Sequence, residues 1–319
     1  MKRPLFYIFA CLFPFYALAQ GKPERVVLLP YGDMEKWLTR TVKESAAIGG
    51  ELKTLYEIGE PVDMKENEYY SDYNGSVWGT SSVRAEVGVR KASVTVFPDE
   101  REGGGRCARL ETRTEVVKVL GVVNINIIAT GTIFLGTIEE PIRGVNDPDS
   151  NLDRGIPIDK NPNAVIFDYK MKCVDQRRSS NGWRTKELGG LDSAEVVCLV
   201  QRRWEDGEGN LYAKRIGSAF HRFRNTTGKW TDGYVVPVVY GEEQKKFPQD
   251  RVIKLQNADS GYVYAKNSRG ELRRVVEVGY TEPDEKPTHL VMYISSGYGG
   301  PYIGSPGSML WVDNVSLGY

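Results

Sequence analysis

The side chains that could carry chemistry in this sequence are carboxylates, hydroxyls and aromatic rings, because histidine is almost absent. The 319 residues contain two histidines, His221 and His289, which are too few for a multi-histidine zinc or iron site. They leave few imidazoles for proton transfer near neutral pH, and neither lies beside a Gly-x-Ser-x-Gly nucleophile motif. The sequence also contains no phosphate-binding glycine loop and no Cys-x-x-Cys pair.

Carboxylates are abundant, and glycoside hydrolysis is the chemistry that would use two of them. That reaction needs a proton-donating acid and an ionised partner, roughly 5–10 Å apart on either side of the glycosidic bond. Glu139 and Glu140 are adjacent, so on a continuing strand they point to opposite faces and cannot both line one cleft. Further acids lie in the long polar segment 142–163: Asp147, Asp149, Asp153 and Asp159. With 42 acids in the chain, the sequence selects no pair.

Aromatic rings point to a second chemistry, the recognition of sugars. Such sites stack flat rings on the apolar faces of pyranoses and surround them with a few convergent polar groups. The chain has 6 Trp and 18 Tyr, although burial in a core is the commoner fate of any one ring. Trp37, Trp204 and Trp311 alternate with strand residues, and we assign them to packing. Candidates for an aromatic platform in loop-like segments are Trp78, Tyr73, Trp183, Tyr298 and Tyr302.

Charge and composition limit the classes of partner. Lysine and arginine together number 42, as do aspartate and glutamate, so no basic surplus exists to neutralise phosphates. We therefore expect no nucleic-acid partner. Hydrophobic residues make up 40% of the chain and charged residues 26%, a mixture typical of packed globular proteins.

The first nineteen residues are typical of a secretory signal peptide. Lys2 and Arg3 precede an apolar run that ends in Ala17-Leu18-Ala19, a small-x-small cleavage pattern that places the cut after Ala19. The run is shorter than the ~20 residues of a spanning helix, so we expect a secreted or periplasmic protein without a transmembrane segment after cleavage. Cys11 raises the alternative of a lipoprotein signal, but bulky Phe9 argues against it.

Three cysteines, Cys107, Cys173 and Cys198, remain after cleavage and would enter an oxidising compartment. Cys173 and Cys198 lie in two strand-like segments that could be neighbours, which makes this pair the candidate disulfide. The alternative is that all three are buried thiols that act as small apolar side chains.

Most of the remaining chain shows the alternation of β-strands. Strand-like segments bounded by turn residues cover 89–97, 107–120, 122–138, 163–174, 194–204, 210–223, 233–240, 271–280, 288–296 and 308–317. Weak helical patterns occur at 33–45 and 250–257. Strands without intervening helices predict an all-β fold, an antiparallel β-sandwich or jelly roll. We expect one domain over 20–319, with 241–270 as an insertion between two strands.

The closing segment 295–319 resembles the end of the "putative carbohydrate metabolism domain" (PCMD) family of exported Bacteroidetes proteins. Its matching residues are Ser295, Ser296, Gly299, Gly304, Gly307, Ser308, Leu310, Val312, Asp313 and Leu317. Asn314 replaces the second acid of the family's Asp-Asp pair. Further similarity covers 32–37, 44–50, 76–82, 130–136 and 155–172 in the expected order, with Ser82 where the family usually has asparagine.

This resemblance implies a jelly roll similar to carbohydrate-binding modules. In such modules a structural Ca²⁺ often joins the first and last strands through acidic oxygen ligands, and by analogy Asp33, Glu35 and Asp313 are the candidates here. The alternative is that Asp313 faces solvent or caps a strand end. The leading hypothesis is an exported glycan-binding protein with an accessory role in polysaccharide use. Two alternatives remain: a glycoside hydrolase or lyase with a carboxylate pair in the concave cleft, and a structural or adhesion component of the cell envelope.

Overall fold

The structure is a computed structural model that describes residues 23–64, 76–119, 123–144, 146–182, 184–248, 252–257 and 263–319. In the first half of the chain, the strands are β1 (Val26–Leu28), β2 (Trp37–Lys43), β3 (Leu52–Ile58), β4 (Asp63–Met64), β5 (Trp78–Thr80), β6 (Val83–Glu86), β7 (Arg90–Ser93), β8 (Val96–Glu100), β9 (Arg106–Glu111), β10 (Arg113–Val119), β11 (Val123–Ala129), β12 (Thr132–Ile138), β13 (Leu152–Arg154) and β14 (Ile156–Pro157).

The second half adds β15 (Ala164–Lys172), β16 (Arg178–Ser180), β17 (Thr185–Glu187), β18 (Ala194–Glu205), β19 (Leu211–Phe223), β20 (Thr231–Pro237), β21 (Val239–Tyr240), β22 (Val263–Lys266), β23 (Leu272–Tyr280), β24 (His289–Ser295), β25 (Ile303–Gly304) and β26 (Met309–Gly318). Short 3-10 helices occur at Ala46–Ile48, Pro148–Asn151 and Gly241–Lys246. Within the described ranges, no helix is long and apolar enough to cross a membrane.

Two sheets form the sandwich. The first has the strand order β20-β15-β26-β9-β8, with β1 paired to the far end of β26. The second is larger and follows β13-β12-β24-β18-β19-β23-β22, with β5, β14 and β21 joined at its sides. Most pairs are antiparallel, and β19 with β23 is a parallel exception. The predicted all-β, jelly-roll-like class is confirmed.

The main core lies between the two sheets and consists of side chains from alternate strand positions. On β18 these are Val196, Cys198 and Val200, and on β26 they are Leu310 and Val312. Because successive strand residues point to opposite faces, the positions between them on β18 face away from the sandwich. The second face of the large sheet is therefore available to a site.

Two hairpins, β6–β7 and β10–β11, form small sheets of their own outside the sandwich. The buried carboxylate of Glu140 anchors the β6–β7 hairpin. It accepts a hydrogen bond from the Arg84 backbone N–H and forms an ion pair with Arg40. Arg40 also pairs with buried Glu57. Since an unpaired buried charge is costly, this group of ions fixes where the hairpin lies.

Two local predictions from the sequence were wrong. The segment 33–45 is not helical, because Trp37–Lys43 forms strand β2 with alternate burial and pairs along its length with β3. The residues described within 250–257 contain turns and no helix. The segment 241–270 remains a predicted insertion, and its described parts contribute the Gly241–Lys246 helix and strand β22, which pairs with β23.

Among the residues that the structure describes, Cys107, Cys173 and Cys198 are free thiols, so the predicted bridge between Cys173 and Cys198 is absent. The physical reason is the topology: Cys173 follows β15 in the first sheet, whereas Cys198 lies in the middle of β18 in the other. Burial raises the pKa of the Cys198 thiol to about 12 and that of Cys173 to about 11. Cys107 and Cys198 are fully buried, which agrees with the alternative of buried thiols.

Candidate functional site

A cleft of about 300 Å³ lies on the face of the large sheet that points away from the sandwich. Its floor is formed by β12, β18 and β24, and the hairpins β6–β7 and β10–β11 form its walls. The glycine-rich loop before β25 and the described segment 252–257 contribute further lining residues. Concave sites of this size and position are typical of small-ligand binding.

The alternation of side chains along each strand determines which residues form the floor of the cleft. On β24, Val291 and Tyr293 line the cleft, whereas their neighbours Leu290 and Met292 pack in the sandwich core. On β18, Glu195 faces the cleft. The sequence contains a signal for it, because Glu195 is a charged residue inside the apolar run AEVVCLV. An acid there must find partners or a ligand.

The polar end of the cleft is built around four side chains. Tyr293 donates its hydroxyl to Glu195 Oε1 over 3.0 Å, and the guanidinium carbon of Arg154 lies 6.0 Å from the centre of the Tyr293 ring. Arg154 Nη2 donates to Asp149 Oδ1 over 2.8 Å. Burial, followed by the nearby Glu195 carboxylate, raises the pKa of Tyr293 well above its usual value. The hydroxyl therefore stays protonated and remains a hydrogen-bond donor.

Tyr298, one of the predicted platform residues, lies behind this cluster and does not line the cleft. The guanidinium carbons of Arg177 and Arg222 lie 3.8 and 4.5 Å from the centre of its ring. Arg222 in turn donates from Nε to Glu195 Oε2 over 3.0 Å. Tyr298 therefore supports the arginine that holds Glu195, and its ring is occupied by cations.

Of the predicted platform residues that the structure describes, Tyr302 is the one that lines the cleft. It follows Gly299 and Gly300, both in the left-handed region, and has a φ of +62° itself, which is uncommon for a residue with a side chain. Its backbone carbonyl accepts a hydrogen bond from the Ser180 N–H over 2.9 Å. Burial, aided by the charge of Asp149, raises the pKa of Tyr302 to about 12. The loop thus holds a neutral phenol at the polar end.

The opposite half of the cleft is apolar. The hairpin β10–β11 turns Val117 and Ile125 inward as a directly opposed pair, and Glu115 and Ile127 form the next inward pair, two positions along the ladder. Val116, between the two inward residues of β10, is 42% exposed on the outer face. The hairpin β6–β7 adds further β-branched side chains, including Val83. These positions alternate as a half-buried strand requires.

Glu115 is the acid in this apolar wall. Its side chain accepts a hydrogen bond from Ser93 Oγ over 3.2 Å, and Lys91 Nζ lies 3.6 Å from its Oε2. Burial outweighs these partners and raises the pKa of the Glu115 carboxyl. Lys91 is shared with Glu44, whose Oε1 lies 3.1 Å from Nζ. An acid in an apolar wall with a raised pKa is suited to donate a proton.

A buried network beneath β18 and β19 holds the segment 252–257 against the cleft. Arg215 and Glu277 are both fully buried and form an ion pair, with Arg215 Nε 2.6 Å from Glu277 Oε1. Arg215 also donates to the backbone carbonyls of Ile253 and Lys254, and the Gln256 N–H donates to Glu277 over 2.7 Å. This network positions Gln256 in the cleft lining.

The other predicted aromatic residues lie elsewhere. Trp78 is fully buried in the sandwich core and donates from Nε1 to the Pro30 carbonyl over 2.9 Å, so it cannot offer a ring to a sugar. Tyr73 and Trp183 lie outside the described residues. Trp204, which we assigned to packing, is 41% exposed and stacks on Tyr212 at 5.9 Å, since the hairpin β18–β19 extends beyond the core.

The calcium candidates do not meet as a metal site. Asp313 forms an ion pair with Arg101, which also binds Asp168 over 2.7 Å, so a guanidinium already neutralises both carboxylates. Glu35 instead accepts a hydrogen bond from the Arg106 backbone N–H over 3.0 Å. Within the residues described, no group of three or more His, Cys, Asp or Glu side chains could hold a metal ion.

Comparison with known proteins found a matching family model and similar solved structures. A family model described as "Putative carbohydrate metabolism domain" matches residues 56–318. Among solved structures, a putative glycoside hydrolase from Bacteroides thetaiotaomicron VPI-5482 is 16% identical with a TM-score of 0.47, over 85% of this chain and 76% of that one. Another, from Bacteroides vulgatus ATCC 8482, is 14% identical with a TM-score of 0.46, over 93% and 96% respectively. No curated protein matches the chain.

Proposed function

Since this chain belongs to the carbohydrate-metabolism domain family, we propose that the cleft binds a neutral glycan at its polar end. The observation that carries the proposal is the grouping of Tyr302 and Tyr293 with Asp149 and Glu195 in one concave site. Rings and carboxylates together provide what pyranose recognition requires, namely apolar contact beside convergent hydrogen-bond partners.

The charges of the cleft favour a neutral sugar over an anionic one. Arg154 already pairs with Asp149 at 2.8 Å, and Arg222 already pairs with Glu195 at 3.0 Å. An anionic sugar would have to compete with these carboxylates for the same guanidinium groups. Sugar hydroxyls can instead donate to carboxylate oxygens and accept from N–H groups without displacing either ion pair.

A test of this function is a glycan array probed with the purified protein, followed by titration of each hit. We expect binding to neutral oligosaccharides and none to uronic-acid polymers. Failure of a folded protein to bind any glycan on the array would contradict the proposal. We also propose, from residues 1–19 alone, that the protein acts outside the cytoplasm.

Hydrolysis is a second candidate, and the observation that favours it is Glu115. Its raised pKa would keep a proton available for the glycosidic oxygen of the leaving group. The Asp149 side chain, which pairs with Arg154 at 2.8 Å, would accept the proton of the attacking water. A reducing-sugar assay on array hits tests this, with Glu115→Gln expected to abolish turnover. Turnover that persists in Glu115→Gln would rule out Glu115 as the acid.

A further inference from the structure

The cleft has two halves of different chemistry, and its apolar half exceeds what a sugar ring requires. Its polar end is described above. The other half is lined by β-branched aliphatic side chains from the two hairpins: Val83, Val87, Val89, Val117, Ile125 and Ile127. These residues do not belong to the sandwich core, because the hairpins lie outside the two main sheets. Apart from Val117, which is 8% exposed, these side chains are half-buried at the wall of the cleft, and a concave apolar surface of this extent outside a core is unusual unless it is used.

The type of side chain indicates the type of ligand. Flat aromatic groups prefer aromatic partners with offset or edge contacts, whereas this wall consists of branched aliphatic groups. An aliphatic chain fits such a wall through dispersion contacts and loss of hydrated surface. The concave shape and the volume of about 300 Å³ are those of a small-molecule site, not of a flat protein interface.

The charges exclude a free fatty acid as the best occupant. Lys91, the cation of the apolar half, lies within 3.1 Å of Glu44 and 3.6 Å of Glu115. At the polar end Arg154 is engaged by Asp149. A ligand carboxylate would displace one of these acids, so the polar head of the ligand should be uncharged.

We propose that the cleft takes an amphiphilic glycoside, with its neutral sugar at the polar end and its aliphatic chain along the hairpin wall. The inference rests on the proposed function for the sugar half alone. The two halves are continuous, since a single cleft is lined at one end by Tyr302 and Asp149 and at the other by Val117 and Ile127.

The experiment is a calorimetric titration of the purified protein with methyl, butyl, hexyl and octyl β-glucosides below their micelle concentrations, and with hexanol. Each buried methylene is expected to tighten binding about four-fold. If methyl glucoside binds and the affinity does not rise with alkyl chain length, this inference is overturned and the proposed function stands. Hexanol that binds as tightly as hexyl glucoside overturns both, because the sugar then contributes nothing.

A matched pair of variants on one hairpin tests where the aliphatic chain of the ligand lies. Ile127→Thr places a hydroxyl on the inner face of β10–β11 and should reduce the gain per methylene, while binding of methyl glucoside persists. Val116→Thr makes the same kind of change on the outer face, where the residue is 42% exposed, and should leave the series unchanged. Equal effects of the two variants would overturn the placement. The wild-type series stays decisive if either variant fails to fold.

Discussion

Tyr293 and Glu195 lie on the neighbouring strands β24 and β18, and the tyrosine hydroxyl donates to the carboxylate over 3.0 Å at the polar end of the cleft. Arg222 approaches the other oxygen of the same carboxylate at 3.0 Å. The acid is 2% exposed, so these two partners compensate for its burial. The bond thus contributes both to the stability of the sheet and to the shape of the cleft.

Tyr293→Phe should lower the free energy of unfolding by about 2 kcal/mol, because it removes a hydrogen bond to a buried charged group. Urea denaturation followed by fluorescence measures the change. Tyr212→Phe is the control: its hydroxyl bonds Asp206 at the surface, and its removal should cost about 0.5 kcal/mol or less. Equal costs for the two variants would show that the Glu195 bond is not special.

Arg215→Met should destabilise the protein by about 3–5 kcal/mol, since it leaves Glu277 buried without its cation. The same variant should weaken ligand binding in the cleft, because Arg215 also holds the carbonyls of Ile253 and Lys254. Arg273→Met removes an exposed ion pair with Glu271 and should change stability by no more than about 0.5 kcal/mol. A cost for Arg215→Met below about 1 kcal/mol would contradict the role of the network.

Acidification should destabilise the fold through His289. Burial, followed by the Arg203 cation, lowers the pKa of this imidazole from 6.5 to about 4. Between these values the unfolded chain binds a proton that the folded chain does not, so His289 contributes stability above pH 6.5 that is lost as the pH falls towards 4. Urea midpoints from pH 7 to 4.5 should fall less steeply in His289→Gln. Parallel curves for variant and wild type would refute this.

Arg101 takes the place that a calcium ion would need at Asp313, so EDTA should leave the melting temperature unchanged. A drop of several degrees with EDTA, reversed by Ca²⁺, would instead support the metal. Arg101→Gln should cost about 2–3 kcal/mol, because it leaves the Asp168 and Asp313 carboxylates facing each other. That cost should shrink as the pH falls, because burial raises the pKa of Asp313 and protonation of this carboxyl relieves the repulsion; thermal melts at decreasing pH measure the change.

Local pattern was enough to predict most of the longer strands after residue 88 and some of the residues that line the cleft. Alternation on β18 and β24 marks which side chains face the core, and the glycines before Tyr302 mark a loop that presents a ring. The acid-rich segment 142–163 supplies Asp149 to the cleft, as one of the acids considered for it. Such features depend on residues that are close in the sequence.

The missed features depend on pairing between distant segments. Glu195 meets Tyr293 across 98 residues, and Trp78 is buried only because β5 pairs with β12 at the edge of the large sheet. The strand β2 was mistaken for a helix because seven residues carry too little periodicity to decide between the two. Strand register therefore decides which acids and rings share the cleft, and the sequence does not reveal register directly.

Calorimetric titration of an oligosaccharide identified on the array, into wild type, Tyr302→Ala and Tyr212→Ala, would decide whether the cleft binds glycan. Tyr302 lies in the cleft, whereas Tyr212 stacks on exposed Trp204 near the far end of β18. We predict a loss of affinity of about ten-fold or more in Tyr302→Ala, and no change in Tyr212→Ala. Unchanged affinity in a folded Tyr302→Ala protein would contradict it.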